Sequence, residues 1–124
     1  MPKVYGIKKK TLKLILEAAK STHPQEFMAI LRAKKGVINE ILMLPGTVFG
    51  NRHSIVQLHM LPIDFSVVGT VHSHPSPSGN ASDSDLLTFS KFGCVHIIVY
   101  YPYCENCWQA YDHTGRKIDL EIVD

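Results

Sequence analysis

His72 and His74 flank Ser73 at the end of an apolar run (Phe65, Val67, Val68, Val71) that reads as a buried strand. In an extended chain, residues two apart point to the same side, about 6.5–7 Å from one another. Both imidazoles can then converge on one ion at about 2.0–2.1 Å per Zn–N bond. Beyond His74 a loop rich in Pro, Ser, Gly and Asn can turn the chain back, which makes Asp85 the candidate third ligand. Two histidines and a carboxylate, with a fourth position left to water, are the ligand set of a catalytic zinc, and the chemistry implied is hydrolysis. Such a reaction also needs a group that takes a proton from water and returns it to the leaving group. Glu26 is the candidate, standing after the His23-Pro24 break and before Phe-Met-Ala-Ile-Leu. Ser82, three residues before Asp85, could hydrogen-bond an oxyanion. Each residue also has a plainer reading. Ser82-x-x-Asp85 is a helix capping box, Glu26 alone is a surface carboxylate, and His-x-His occurs by chance.

The elements that must position these residues are legible in outline. Val4 to Ile7 reads as a short first strand. Thr11 to about Ser21 reads as an amphipathic helix, with Leu12, Ile15, Leu16 and Ala19 at helical spacing, Thr11 as N-cap and His23-Pro24 as the stop. Glu26–Leu31 and Val37–Leu44 read as antiparallel partners across Lys34-Lys35-Gly36, with Pro45-Gly46 ending the second. A polar loop (47–54) and an alternating strand (Ile55–Met60) follow. The histidine-bearing strand is expected to end at one edge of the sheet. Ser82 opens a helix carrying Leu86, Phe89 and Lys91 and ending at Gly93. His96–Tyr101 is a buried strand closed by Pro102. Trp108–Tyr111 pairs with Lys117–Val123 across an Asp112–Gly115 turn, Ile118, Leu120 and Ile122 facing one way. The fold class this predicts is α/β, a mixed sheet flanked by two helices.

With 124 residues, 45% hydrophobic and 19% charged, one compact domain over residues 1–124 is expected. A formal net charge of +2, with basic residues clustered only at Lys8-Lys9-Lys10, argues for neither nucleic acid nor anionic membrane as a partner. No apolar run reaches the ~18 residues of a membrane span. Three cysteines and a start (Met-Pro-Lys-Val-Tyr) without an apolar export segment predict free thiols and a cytoplasmic setting.

Cys104-x-x-Cys107 could belong to a zinc deaminase only with a His-x-Glu pair and a proline directly before the first cysteine. Here the pair is His-x-His and Pro102 is one residue too far away. A disulfide or two free thiols fits better, a second zinc with Cys94 and His113 less well. His96 reads as a packed core histidine, Trp108 and Tyr111 as core aromatics, His23 as part of a turn, and His53 and His59 fit no pattern.

Taken together, Glu26, His72-Ser73-His74-Pro75, seven residues from Pro75 to Ala81, and Ser82-Asp83-Ser84-Asp85 resemble the JAMM (MPN+) zinc metalloprotease signature. The resemblance spans the chain and is closest in length and order to small, single-domain archaeal members. It implies an MPN/cytidine-deaminase-like mixed β-sheet flanked by helices, Zn2+ as cofactor, and His72, His74 and Asp85 as its ligands. It further implies Glu26 as general acid/base and Ser82 as oxyanion support. The implied reaction is cleavage after the C-terminal Gly-Gly of ubiquitin-like modifier proteins or their conjugates, the tail lying beside the Glu26 strand or the 47–54 loop. Trimming a sulfur-carrier protein's C-terminus is a variant within the family, and a non-catalytic MPN-type interaction scaffold is the rival. A homodimer stays open beside a monomer.

Overall fold

A computed structural model describes residues 3–43 and 66–124. The chain enters through β1 (Gly6–Lys8) and passes directly into α1 (Lys9–Thr22). A hairpin follows, β2 (Met28–Lys34) and β3 (Val37–Leu42), and then the long strand β4 (Val67–His74). Helix α2 (Asp83–Lys91) leads to β5 (Val95–Tyr100), β6 (Trp108–Asp112), β7 (Lys117–Ile118) and β8 (Glu121–Val123). The eight strands of the described residues form one sheet in the order β7-β6-β5-β4-β2-β3-β1-β8. It is mixed: β4 runs parallel to β5, and β1 parallel to β3 and β8, while the other pairs are antiparallel. Strand β4 is an interior strand that ends at His74. It is held between β2 and β5, so the backbone that carries the histidines is bonded on both sides.

Alternation along the strands divides the core. Ala29, Leu31, Val71, Ile97 and Val99 face α1 and pack with Leu12, Ile15, Leu16 and Ala19. Thr11 is not the N-cap: β1 feeds straight into the helix, Lys8 occupies the cap without a side-chain bond, and Thr11 is buried inside the first turn. The stop is as predicted, with the His23 amide donating to the Ala19 carbonyl ahead of Pro24. On the opposite face, α2 lays Phe89 over Ile98 and Tyr111, whereas Leu86 is exposed. Trp108 is half-buried against the α1-side core.

The C-terminal segment departs most from its expected form. Only Lys117–Ile118 pairs with β6; the chain then crosses to the far edge, where β8 adds to β1 in parallel. Leu120 turns into the core between the two pieces, and Ile122 is exposed rather than sharing its face. The first strand lies two residues later than its apolar pattern, and β2 begins at Met28 rather than Glu26. Pro45-Gly46, the 47–54 loop, the Ile55–Met60 strand, His53 and His59 lie outside the described residues. Cys104 and Cys107 form a disulfide, Cα–Cα 4.9 Å, correcting the expectation of free thiols, and Cys94 remains a thiol. The pair closes a tight turn in which the Cys107 amide donates to the Cys104 carbonyl, placing the Cα atoms within bridging range.

His96 lies fully buried under α2, its Nδ1 2.7 Å from Thr70 Oγ1 and its ring stacked on Phe89 at 4.4 Å. Its Nε2 makes no hydrogen bond among the described residues. Burial lowers its pKa from 6.5 to about 4; His72 adds to this, and the backbone at Phe89 and Gly93 opposes it. The folded chain therefore holds this imidazole neutral while the unfolded chain protonates it below pH 6.5. The resulting stability is complete above that pH and is lost as pH falls through 4, an effect of about 3 kcal/mol. Urea unfolding in the presence of a chelator should show wild type weakening over this window and His96→Gln weakening less. Parallel curves would remove His96 from the account.

Candidate metal centre

The site forms where β4 ends. Strand alternation puts His72 and His74 on the α2 face, and Pro75 and Pro77 then stop the ladder. The returning loop delivers Ser82 as N-cap of α2. Ser82 Oγ accepts from the Asp85 amide at 3.1 Å, and Asp85 Oδ2 accepts from the Ser82 amide at 2.9 Å. The capping box therefore exists, and it does not compete with the metal reading. The box holds the Asp85 carboxylate at the helix mouth, where Oδ1 lies 3.0 Å from His72 Nε2 and Oδ2 lies 3.1 Å from His74 Nε2. The two Nε2 atoms are 3.2 Å apart.

These separations are a test of fit. Donors bound tetrahedrally at about 2.0–2.1 Å stand about 3.3–3.4 Å from one another; the two Nε2 atoms lie within a few tenths of that, and each has one Asp85 oxygen at a similar distance, Oδ1 for His72 and Oδ2 for His74. The tautomer also fits. His74 Nδ1 is 3.0 Å from the Ser78 carbonyl, which can only accept, so Nδ1 carries a hydrogen; Nε2 then donates to Asp85 when it is protonated and would give its lone pair to an ion in place of that hydrogen. The electrostatics favour positive charge there. Asp85, through its hydrogen bond, holds His74 above its usual range despite burial, with the Ser78 carbonyl and the charges of Asp85 and Glu26 adding to the effect. Burial pushes Asp85 up, but the hydrogen bonds from His72 and His74 outweigh it and keep the carboxyl well below its ordinary value. His72, His74 and Asp85 form the one group of potential metal ligands found among the described residues. The disulfide takes Cys104 and Cys107 out of the donor inventory.

Glu26 reaches the same end of the sheet by register. Met28 pairs with His72, Glu26 stands two residues before it, and the Glu26 charge is felt at His74. The residue that secures this is Ser73. Its amide donates to the Phe27 carbonyl at 2.9 Å, and its hydroxyl accepts from the Phe27 amide at 2.7 Å. Sequence reasoning passed over Ser73; its only signal was a small hydroxyl residue, fully buried, between two exposed-type histidines. His23 and Tyr103, also unassigned, lie beside this corner, the Tyr103 hydroxyl 2.8 Å from His23 Nδ1 and 3.4 Å from the His74 carbonyl.

The family described as prokaryotic homologs of the JAB domain matches residues 8–111. The chain is a prokaryotic JAB-domain protein. A probable metalloprotease of Haloferax volcanii is 38% identical over 131 residues, covering 98% of this JAB domain and 81% of that protein. Among solved structures, a JAB1/MPN domain protein from Archaeoglobus fulgidus shares 44% identity, with a TM-score of 0.79 over 97% of this chain and 98% of that one. A structure reported as JAMM, a metalloprotease-like zinc site in the proteasome and signalosome, also shares 44% identity, with a TM-score of 0.78 over 98% and 99% of the two chains. A Desulfitobacterium hafniense protein, 17% identical with a TM-score of 0.56 over 97% and 92%, shares the fold alone. The JAMM resemblance of the signature and the α/β class are thus borne out, and zinc is the metal that both the donor set and the family indicate.

Proposed function

We propose that this JAB domain is a zinc isopeptidase that cuts after the C-terminal Gly-Gly of a ubiquitin-like protein and frees the lysine amine. The observation that carries the reading is the cluster of His72, His74 and Asp85, with Glu26 two residues before the position that pairs with His72. His72, His74 and Asp85 would hold the ion. Zinc bound there would supply Lewis acidity and bring the pKa of water to about 7. Glu26 takes the proton of the attacking water and delivers it to the departing amine, so no free amide anion has to leave. The Ser82 oxygen already accepts the Asp85 amide, which leaves its hydroxyl hydrogen to donate to the oxyanion as charge develops on the carbonyl. An extended, small-residue tail suits strand addition beside the chain that leads into β2.

The test uses ubiquitin, and ubiquitin-fold proteins ending in Gly-Gly, each joined through that terminus to the lysine of a fluorescent peptide. Zinc-loaded protein should release the peptide, lose this activity with a chelator and regain it with zinc. Zinc-loaded protein that binds these conjugates without cutting any of them would favour the interaction-scaffold reading instead.

A further inference from the structure

The loop that spaces His74 from Asp85 is not held by its own residues alone. Tyr111 stands on β6, two strands away from β4, opposite His96 in the ladder and therefore on the face that α2 covers. Its ring packs against Phe89, centroids 5.6 Å apart, and its hydroxyl reaches past the helix to donate to the Gly79 carbonyl. The Ala81 amide faces the Tyr111 hydroxyl oxygen itself. Gly79 is also covered from β5, since a Cβ there would lie 2.7 Å from Cε1 of Tyr100. The carbonyl one residue earlier, that of Ser78, accepts the His74 Nδ1 hydrogen. The tied carbonyl holds the Gly79–Asn80 peptide and the aromatic ring covers the Gly79 Cα, so the Ser78–Gly79 peptide plane that precedes it turns about an anchored atom. That plane decides where the Ser78 carbonyl points.

We propose that Tyr111 is a positioning residue of the metal centre, acting through the Ser78–Gly79 peptide to fix the tautomer and ring direction of His74. The inference rests on the metal-site reading above. Metal-ligating histidines depend on the acceptor at their other nitrogen, and loss of such an acceptor weakens metal binding about 10- to 100-fold. Tyr111→Phe removes one oxygen and retains the ring that packs on Phe89, so the loop loses its tether while the core keeps its volume. Gly79→Ala leaves the Tyr111 hydroxyl in place and displaces the same peptide from the other side.

Zinc affinity is to be measured by competition with a chromophoric chelator for wild type, Tyr111→Phe and Gly79→Ala. Thermal unfolding in excess chelator and long-range proton–nitrogen NMR of the His74 ring accompany it. Both variants should bind zinc about 10- to 100-fold more weakly, and the Nδ1–H pattern of His74 should broaden or mix with the other tautomer. Variants that lose thermal stability yet bind zinc as wild type does would show Tyr111 to be a packing residue only and overturn the proposal. A wild type that binds no zinc would overturn the metal reading itself, whereas a wild type that binds while both variants match it would overturn this inference alone.

Discussion

Glu26→Gln is expected to lower turnover on a Gly-Gly-lysine conjugate by about 10²- to 10⁴-fold, the usual contribution of a positioned proton carrier, while zinc content stays that of wild type. The amide has nearly the shape of the carboxylate, and Glu26 is not in the donor triangle, so folding and metal binding should not depend on the charge. What the amide cannot do is accept a proton from water. The paired Phe27–Ser73 hydrogen bonds of 2.7 and 2.9 Å anchor the backbone next to Glu26. Turnover and zinc by mass spectrometry should be read together, with His74→Ala as the control that loses both. Unchanged turnover would remove Glu26 from the chemistry, and zinc lost along with turnover would make it part of the metal site.

Gly69→Ala is expected to give the largest loss of stability of any Gly→Ala change among the described residues, about 3 kcal/mol or more by the measure of overpacked cores. A Cβ at Gly69 would fall 1.5 Å from the Val95 carbonyl oxygen and 2.6 Å from its carbon, which are backbone atoms that no rotamer change can move aside. Gly69 is paired with Val95 where β4 and β5 begin to run together. Forcing them apart shifts the strand that ends in His72 and His74, so zinc affinity should fall as well. Chemical denaturation and chelator competition on the same sample check both effects. A variant with wild-type midpoint would show that the strands part at that point without strain.

Much of the site could be read from the chain because its determinants are local. Alternation places His72 and His74 on one face, prolines end the strand, and Ser82 with Asp85 starts a helix; none of these depends on distant residues. Glu26 was singled out only through the motif, since the cross-strand bond next to it joins Phe27 to Ser73, 46 residues further along. The C-terminal strand was misread for the same reason. Lys117–Val123 alternates well enough to be one strand, but β6 and β1 at opposite ends of the sheet each claim a part of it, and Leu120 satisfies the core between them. Thr11 is a good cap residue displaced by a strand that enters the helix without a loop. The cysteines carry the same spacing whether reduced or bonded, so only the fold of residues 100–107 could decide between those states.

Asp85 Oδ2 accepts both the Ser82 amide that opens α2 and the His74 nitrogen. One oxygen thus serves two equilibria, the nucleation of a helix and the capture of an ion, and thermodynamic linkage makes them reciprocal. Whatever favours the first turn of α2 raises metal affinity by the same factor, and the ion in turn steadies the helix that lays Phe89 over Ile98 and Tyr111. Zinc concentration then acts on this domain as a folding variable: stability grows with the logarithm of free metal once it exceeds the dissociation constant. On the α2 face the cofactor and the core are two readings of one cooperative unit.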